Sequence, residues 1–193
     1  MGLLGGPAVA AGSMAGWAQP EIAGAGVLLR PWRAADLAVV LAGYGDPAVQ
    51  KWHVRSMDED EARDWIAHWA GRWREETGAG WAVTVGGGPA LGQISLSRLD
   101  LYGGRGWISY WTLPEARGAG VAHRALEALA GWVFGSLGLH RLEVSHATAN
   151  RASCRVAQKA GFPAEGIRRG DGWHADGWHD MHVHARVAGD RKP

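Results

Sequence analysis

Pro114-Glu115-Ala116-Arg117-Gly118-Ala119-Gly120-Val121-Ala122 is the stretch whose reading decides how this chain folds. Before it, Trp107-Ile108-Ser109-Tyr110-Trp111 is rich in residues that favour a strand, and Pro114 closes that run. After it, Ala122, Leu126, Leu129, Val133 and Leu137 form an apolar stripe at helical spacing, so a helix is expected from about Gly120 to Leu137, stopped at Gly138. The turn between them therefore leads from a strand into an amphipathic helix and carries two glycines, which let its backbone come close to a ligand. Free N–H groups at a helix start, helped by the helix dipole, hold phosphate oxygens without a basic side chain, and a pyrophosphate-bearing cofactor is the natural guest. The dinucleotide fingerprint fails because Gly118 and Gly120 are followed by His123, and the Walker A ending of Gly-Lys-Ser/Thr is missing. Taken alone, the same turn reads equally well as a tight connection.

Upstream, Val27-Leu28-Leu29-Arg30 reads as a strand and Ala34 to Tyr44 as a helix, with Leu37, Val40 and Leu41 on one face. Ser56-Met57-Asp58-Glu59 has the form of a capping box, predicting a helix from about Met57 to Glu76. On it Trp65, Trp69 and Trp73 recur every four residues and share a face, which suits packing on a sheet, a substrate-lining wall or, if exposed, a homodimer. Trp81–Val85 and Leu91–Leu99 around Gly86-Gly87-Gly88-Pro89 read as a hairpin. Downstream come a strand at Arg141–Ala147, a helix at Arg151–Ala160 ended by Gly161, and strands at Gly166–Arg169 and Trp178–Val187. Strands in succession, then strand, helix, strand, helix and strand, imply an α/β domain with a mixed sheet. The expected organisation is a flexible low-complexity segment at 1–26, one domain at 27–187 and a tail at 188–193, with Met14 an alternative first residue.

Composition narrows the function. The 193 residues carry 20 basic and 19 acidic side chains, for a formal charge of +1, and no Lys/Arg run marks a nucleic-acid patch. Cys154 is the only cysteine, so no intramolecular disulfide and no metal-thiolate cluster can form, which suits a reducing cytoplasm. Residues 1–26 lack a signal-peptide pattern, and no stretch reaches the ~18 uninterrupted apolar residues of a membrane span, so a soluble cytoplasmic protein is expected.

Arg117-Gly118-Ala119-Gly120-Val121-Ala122 resembles the R/Q-x-x-G-x-G/A signature of Gcn5-related (GNAT) acyltransferases. Asn150-Arg151-Ala152-Ser153, leading to Val156, Lys159, Ala160, Gly161 and Phe162, resembles the N-x-x-S…V-x-x-K-x-G-F pattern of the RimJ/RimL-type branch. Leu29-Arg30-Pro31-Trp32 and Asp46-Pro47 resemble that branch too, and together these features span about residues 27–187 in the family's order. The resemblance implies a mostly antiparallel sheet of six to seven strands flanked by about four helices. In that fold the fourth and fifth strands, Trp107–Thr112 and Arg141–Ala147, splay in a V that takes the pantetheine arm of acetyl-CoA or another short acyl-CoA. Cofactor contacts then fall to Thr112, Leu113, Arg117, Gly118, Ala119, Gly120, Val121, Ala122, Asn150 and Ser153.

The reaction the resemblance implies is direct attack of an uncharged amine on the thioester. Ser153 is placed to assist the leaving thiolate, and a backbone amide at a strand bulge near Trp111 or Thr112 to hold the oxyanion. The strand Trp107–Trp111 lacks the glutamate many relatives use as base. Asp171 stands one position from the family's later carboxylate, and His146 and His53 are alternatives with ordinary pKa values of ~6.5. Trp52, His53, Trp65, Trp173 and Trp178 are the candidates for the acceptor pocket, and the acceptor is a peptide N-terminus or a small amine. His174, His179, His182 and His184 cluster near the end, and Asp180, His182 and His184 share one strand face. Such a row makes a spread ladder and not a closed site, so no metal is expected. An acyl-CoA sensor without turnover and a His-rich metal-binding domain are the rival readings.

Overall fold

The computed structural model describes residues 5–190. Eight strands form one sheet: β1 (Ile22–Gly24), β2 (Val27–Pro31), β3 (Ala79–Thr84), β4 (Ala90–Asp100), β5 (Arg105–Thr112), β6 (Arg141–Ala147), β7 (Ala164–His174) and β8 (Gly177–Val187). Their order is β1-β2-β3-β4-β5-β6-β8-β7, and every neighbouring pair is antiparallel except β5 and β6. Five α-helices flank it: α1 (Leu37–Gly45), α2 (Pro47–His53), α3 (Glu59–Arg74), α4 (Val121–Trp132) and α5 (Arg151–Lys159). Strand and helix counts both exceed the expectation by one.

The additional strand lies in the segment expected to be flexible. Met14 and Val9 are buried, and β1 pairs with β2 from Ile22↔Leu29 to Gly24↔Val27. The reason lies 62 residues away: the Glu76 carboxylate accepts the backbone N–H of Met14 at 2.6 Å and of Gly12 at 2.7 Å, fixing a stretch with no apolar periodicity of its own. Residues 1–4 of that segment, and 191–193 of the expected tail, fall outside the described residues.

The additional helix, α2, starts where Asp46 accepts the N–H groups of Ala48 and Val49 and Pro47 occupies the first turn. The capping box of α3 sits two residues beyond its expected place: Asp58 accepts the Glu61 amide and Glu61 accepts the Asp58 amide, both at 2.9 Å. The α4 stripe continues through a π turn, Val133–Leu137, that Gly138 ends in the left-handed conformation.

Two apolar cores hold the sheet. The larger gathers Leu126, Leu129 and Val133 of α4 and its continuation, Ile94 and Leu96 of β4, and Phe162. The second, under α1 and α3, consists of Val40, Tyr44, Trp65, Trp69, Trp111 and Leu113. Trp65 touches Trp32, Tyr44 and Trp69 edge-on, with ring centroids 5.3 to 5.6 Å apart, so the face of α3 that bears it serves packing. A Cβ on Gly43 would lie 2.4 Å from the Trp111 indole, so the absence of a side chain there lets α1 close onto β5.

The site follows from the one parallel pair. β5 and β6 are in register from Arg105↔Arg141 to Ile108↔Val144, and pairing stops there although both strands continue, to Thr112 and Ala147. β5 remains zipped to β4 up to Gly92↔Thr112, whereas β6 follows β8 up to Ala147↔Met181. The V expected from the resemblance is therefore present, between the fifth and sixth strands because β1 precedes them.

Candidate active site in the strand separation

The opening between β5 and β6 leads into a cleft with two adjoining compartments. The outer one, about 250 Å³, is lined by Trp52, His53, Thr112, Arg117, Ala122 and Ser153 among others. The inner one, about 130 Å³, lies among Ile108, Tyr110, Val144, His146, His174 and Met181. Trp52, His53, Tyr110, Asn150 and Ser153 line both, so these residues stand where the compartments meet.

At the outer mouth, Gly118 and Gly120 have φ of +77° and +75°, a conformation only glycine takes without strain. Gly120 is the N-cap of α4 and has no side chain with which to satisfy the first-turn amides, unlike Asp46, Asp58 and Asn150 at α2, α3 and α5. The N–H groups at Val121, Ala122 and His123 are thus left for an anion, with the helix dipole behind them. Val121 itself is buried, so only its backbone is offered, and Ala119 and Gly118 form the exposed rim. Arg117 donates to Asp46 at 2.7 Å and to the Thr112 carbonyl at 3.3 Å, tying this turn to α2 and β5. The Arg117 guanidinium is also the first cause that holds the Asp46 carboxyl below the usual range.

Alternation along β5 decides which backbone groups face the opening. The Trp111 carbonyl lies toward Gly92 of β4, and the Leu113 amide donates to Leu91 at 2.9 Å, so residues 111 and 113 point to β4. Tyr110 and Thr112 point the other way: their carbonyls meet His53 and Arg117. The Trp111 amide therefore faces away from the opening, and Leu113 has its side chain in the second core and its amide in the ladder, so neither expected position is turned to the V. The expected bulge is absent at 111–112, since the β4–β5 register is regular from Ser97↔Trp107 to Gly92↔Thr112. The Tyr110 and Thr112 amides are the ones turned to the V.

Ser153 sits in the first turn of α5, whose start is fixed by Asn150 Oδ1 accepting the Ser153 amide at 3.1 Å. Its Oγ lies 2.8 Å from the Tyr110 hydroxyl. Burial pushes the Tyr110 phenol up, so it remains protonated. Tyr110 escaped the sequence reading because an aromatic in a strand reads as core; only the pairing of β5 with α5 reveals it.

His53 ends α2, and its Nε2 lies 3.2 Å from the Tyr110 carbonyl. A carbonyl only accepts, so Nε2 carries the proton and Nδ1 the lone pair. Burial pulls the His53 pKa down, outweighing the bond to Tyr110, and the ring is neutral near pH 7. His174, from the far strand β7, lies with Nδ1 3.2 Å from the Lys51 carbonyl and its ring edge-on to Trp52 at 5.8 Å.

The other expected residues lie elsewhere. Asp171 is exposed beside a bulge of β7, 3.8 Å from Arg168, and outside both compartments. Trp173 and Trp178 stack edge-on at 5.1 Å at the exposed end of the β7–β8 hairpin, because alternation turns His174 inward and Trp173 outward. Trp65 is core. Of the acceptor-pocket candidates, Trp52 and His53 line the cleft.

Residues 27–163 match the family model described as Acetyltransferase (GNAT) domain. YdaF of Bacillus subtilis (strain 168), provisionally a ribosomal N-acetyltransferase, is 35% identical over 92 residues, which are 48% of this chain and 50% of that protein. This chain thus matches about half the length of that relative. Among solved structures, RimJ of Mycobacterium smegmatis in complex with CoA-disulfide superposes with a TM-score of 0.77 at 23% identity, over 90% of this chain and 89% of that one. RimL, the ribosomal L7/L12 α-N-protein acetyltransferase in complex with coenzyme A, gives 0.79 at 18% identity over 87% and 98%.

Proposed function

We propose, from the premise that this chain belongs to the acetyltransferase (GNAT) family, that it moves an acetyl group from acetyl-CoA to a primary amine by direct attack in a ternary complex. The observation that carries this reading is the meeting, in one cleft, of an uncapped α4 start at the mouth and the Tyr110–Ser153 pair within the V. The pyrophosphate rests on the Val121–His123 amides, with Ala119 and the two glycines giving it room, and the pantetheine runs along the unpaired end of β5 as an added strand would. Thr112 and Asn150 contact it at the cleft wall.

Chemistry occurs where the two compartments meet. The neutral amine attacks the thioester carbonyl carbon, the Thr112 or Tyr110 amide receives the developing oxyanion, and the amine proton passes to His53 Nδ1. The carbon–sulfur bond then breaks and the leaving thiolate accepts a hydrogen bond from Ser153 Oγ, which Tyr110 orients through their 2.8 Å contact, while the proton on His53 passes through solvent to the thiolate as it departs. No enzyme-bound acyl group is needed, since holding both reactants in one cleft supplies the rate.

The acceptor enters from the inner compartment, between Trp52, His174 and Met181. We assign it as the α-amino group of a peptide or protein N-terminus, a reading supported by the ribosomal-protein acetyltransferases among the chain's likenesses. A cytoplasmic setting and a monomer or homodimer both suit it, the α3 tryptophans being spent on the core. The test is release of CoA thiol from acetyl-CoA with N-terminal peptides and with small amines. Turnover with peptides whose α-amine is free and none when it is blocked is the expected result. Turnover with small amines alone would move the acceptor to that class, and tight acetyl-CoA binding with no turnover would make the protein a sensor.

A further inference from the structure

Beside the inner compartment, three imidazoles and the chain's single thiol converge on one point. His146 of β6 stands directly across from His182 of β8, and His184 is two residues further on the same strand, so all three project from one face of the sheet. Cys154, in the second turn of α5, covers that face. Its Sγ lies 3.8 Å from His184 Nε2 and 3.9 Å from His182 Nδ1. One ligand atom from each of the four residues lies within 4.8 Å of every other. The ladder expected to stay open, His182 with His184, is closed by two residues from other elements. Asp180, its third expected member, turns away to accept the Gly170 amide at 2.8 Å.

We propose that His146, Cys154, His182 and His184 form a tetrahedral site for a divalent transition metal, with zinc its natural occupant. In a tetrahedral zinc site the bond lengths of sulfur and imidazole place sulfur and nitrogen about 3.6 Å apart, so the observed separations need only a small inward movement. Two histidines are already oriented as metal ligands. His184 Nδ1 donates to the Phe162 carbonyl and His146 Nδ1 to the Ala147 carbonyl, each at 2.9 Å, which fixes the tautomer and turns the Nε2 lone pair to the centre. His146 Nε2 is buried without a hydrogen-bond partner among the described residues, a costly state that a metal bond would relieve. Cys154 and His182 are only half-buried and give the ion its way in.

Four protein ligands leave no open position, so the ion is structural. It clamps α5, whose first turn carries Asn150 and Ser153, to β6 and β8. His146 also lines the inner compartment, and metal binding would remove it from any role as base.

The test uses the full chain without a polyhistidine tag, stripped by chelator and titrated with Co²⁺. One equivalent is expected, with tetrahedral visible bands and a thiolate-to-cobalt charge-transfer band. Cys154→Ser removes that band, and His182→Ala weakens binding by at least about 100-fold. Because Cys154 is the only thiol, the unaltered protein gives a second readout: zinc slows its reaction with a disulfide reagent by at least about 10-fold. Binding far below one equivalent, a charge-transfer band that persists in Cys154→Ser, or a thiol that zinc does not protect would overturn the proposal and leave four packed side chains.

Discussion

The Tyr110 hydroxyl and the Ser153 Oγ lie 2.8 Å apart, joining β5 to the first turn of α5 just past the point where β5 and β6 stop pairing. In the proposed mechanism this contact orients the Ser153 hydroxyl toward the leaving sulfur. Tyr110→Phe and Ser153→Ala are each expected to lower kcat by roughly 10- to 100-fold with little change in the affinity for acetyl-CoA. The double variant should lose about as much as the worse single one, because the two act as a unit. Steady-state kinetics of the three variants measure this, and additive losses would separate their roles.

With His53 as the proposed base, the pH dependence follows from its burial. Its pKa is lowered by burial, so the ring is neutral and able to accept a proton over the whole range above its pKa, and protonates only as the solution becomes more acidic. With both substrates saturating, kcat should be flat near neutrality and fall on the acidic side with an apparent pKa below ~6.5. His53→Gln should retain about 1% of kcat and lose that acidic limb.

At the mouth of the cleft, Gly120→Glu places a carboxylate where the pyrophosphate is proposed to rest, and its Cβ would meet the His123 ring at 2.7 Å. Acetyl-CoA affinity should fall by at least about 100-fold, near 3 kcal/mol. Gly118→Ala faces open space and carries only the strain of positive φ, about 1 kcal/mol, so calorimetry should find its affinity reduced much less.

The Arg30–Asp36 pair bears on stability alone. The two terminal guanidinium nitrogens of Arg30 each donate to an Asp36 carboxylate oxygen at 2.7 Å in a buried setting. Burial by itself would raise the Asp36 carboxyl, but Arg30 and the Arg33 amide outweigh it and hold it below its usual value. A depressed folded-state pKa contributes stability that is complete above the unfolded value of ~3.9 and is lost as pH falls through the folded one. Asp36→Asn should therefore cost about 3 kcal/mol near pH 7 and much less in strong acid, as urea unfolding at the two pH values would measure.

The V and its loop were legible because their signals are local. Strand-favouring residues at 107–111, two glycines and a helical stripe follow one another in sequence, and the family signatures fall on them. β1 was not legible, since three residues in a Gly/Ala background carry no pattern and their order comes from Glu76 and β2. The Asp46-Pro47 start of α2 was visible as a motif, yet seven residues are too few to show a period. Periodicity put Trp65 on the right face of α3 without saying that the face meets Trp32 and Tyr44 and not a substrate. Sequence distance hid the rest of the site: Tyr110 and Ser153 are 43 residues apart, His146 meets His182 and His184 through the β6–β8 register, and Cys154 reaches them from α5.

Titration of the protein with acetyl-CoA by calorimetry, beside Gly120→Glu under the same conditions, tests the central claim most directly, because everything proposed for the cleft depends on a CoA thioester lying in it. One saturable site per chain, lost in the variant while its circular dichroism stays that of the parent, is the predicted result. No binding to the unaltered chain, or binding equally tight in Gly120→Glu, would contradict it.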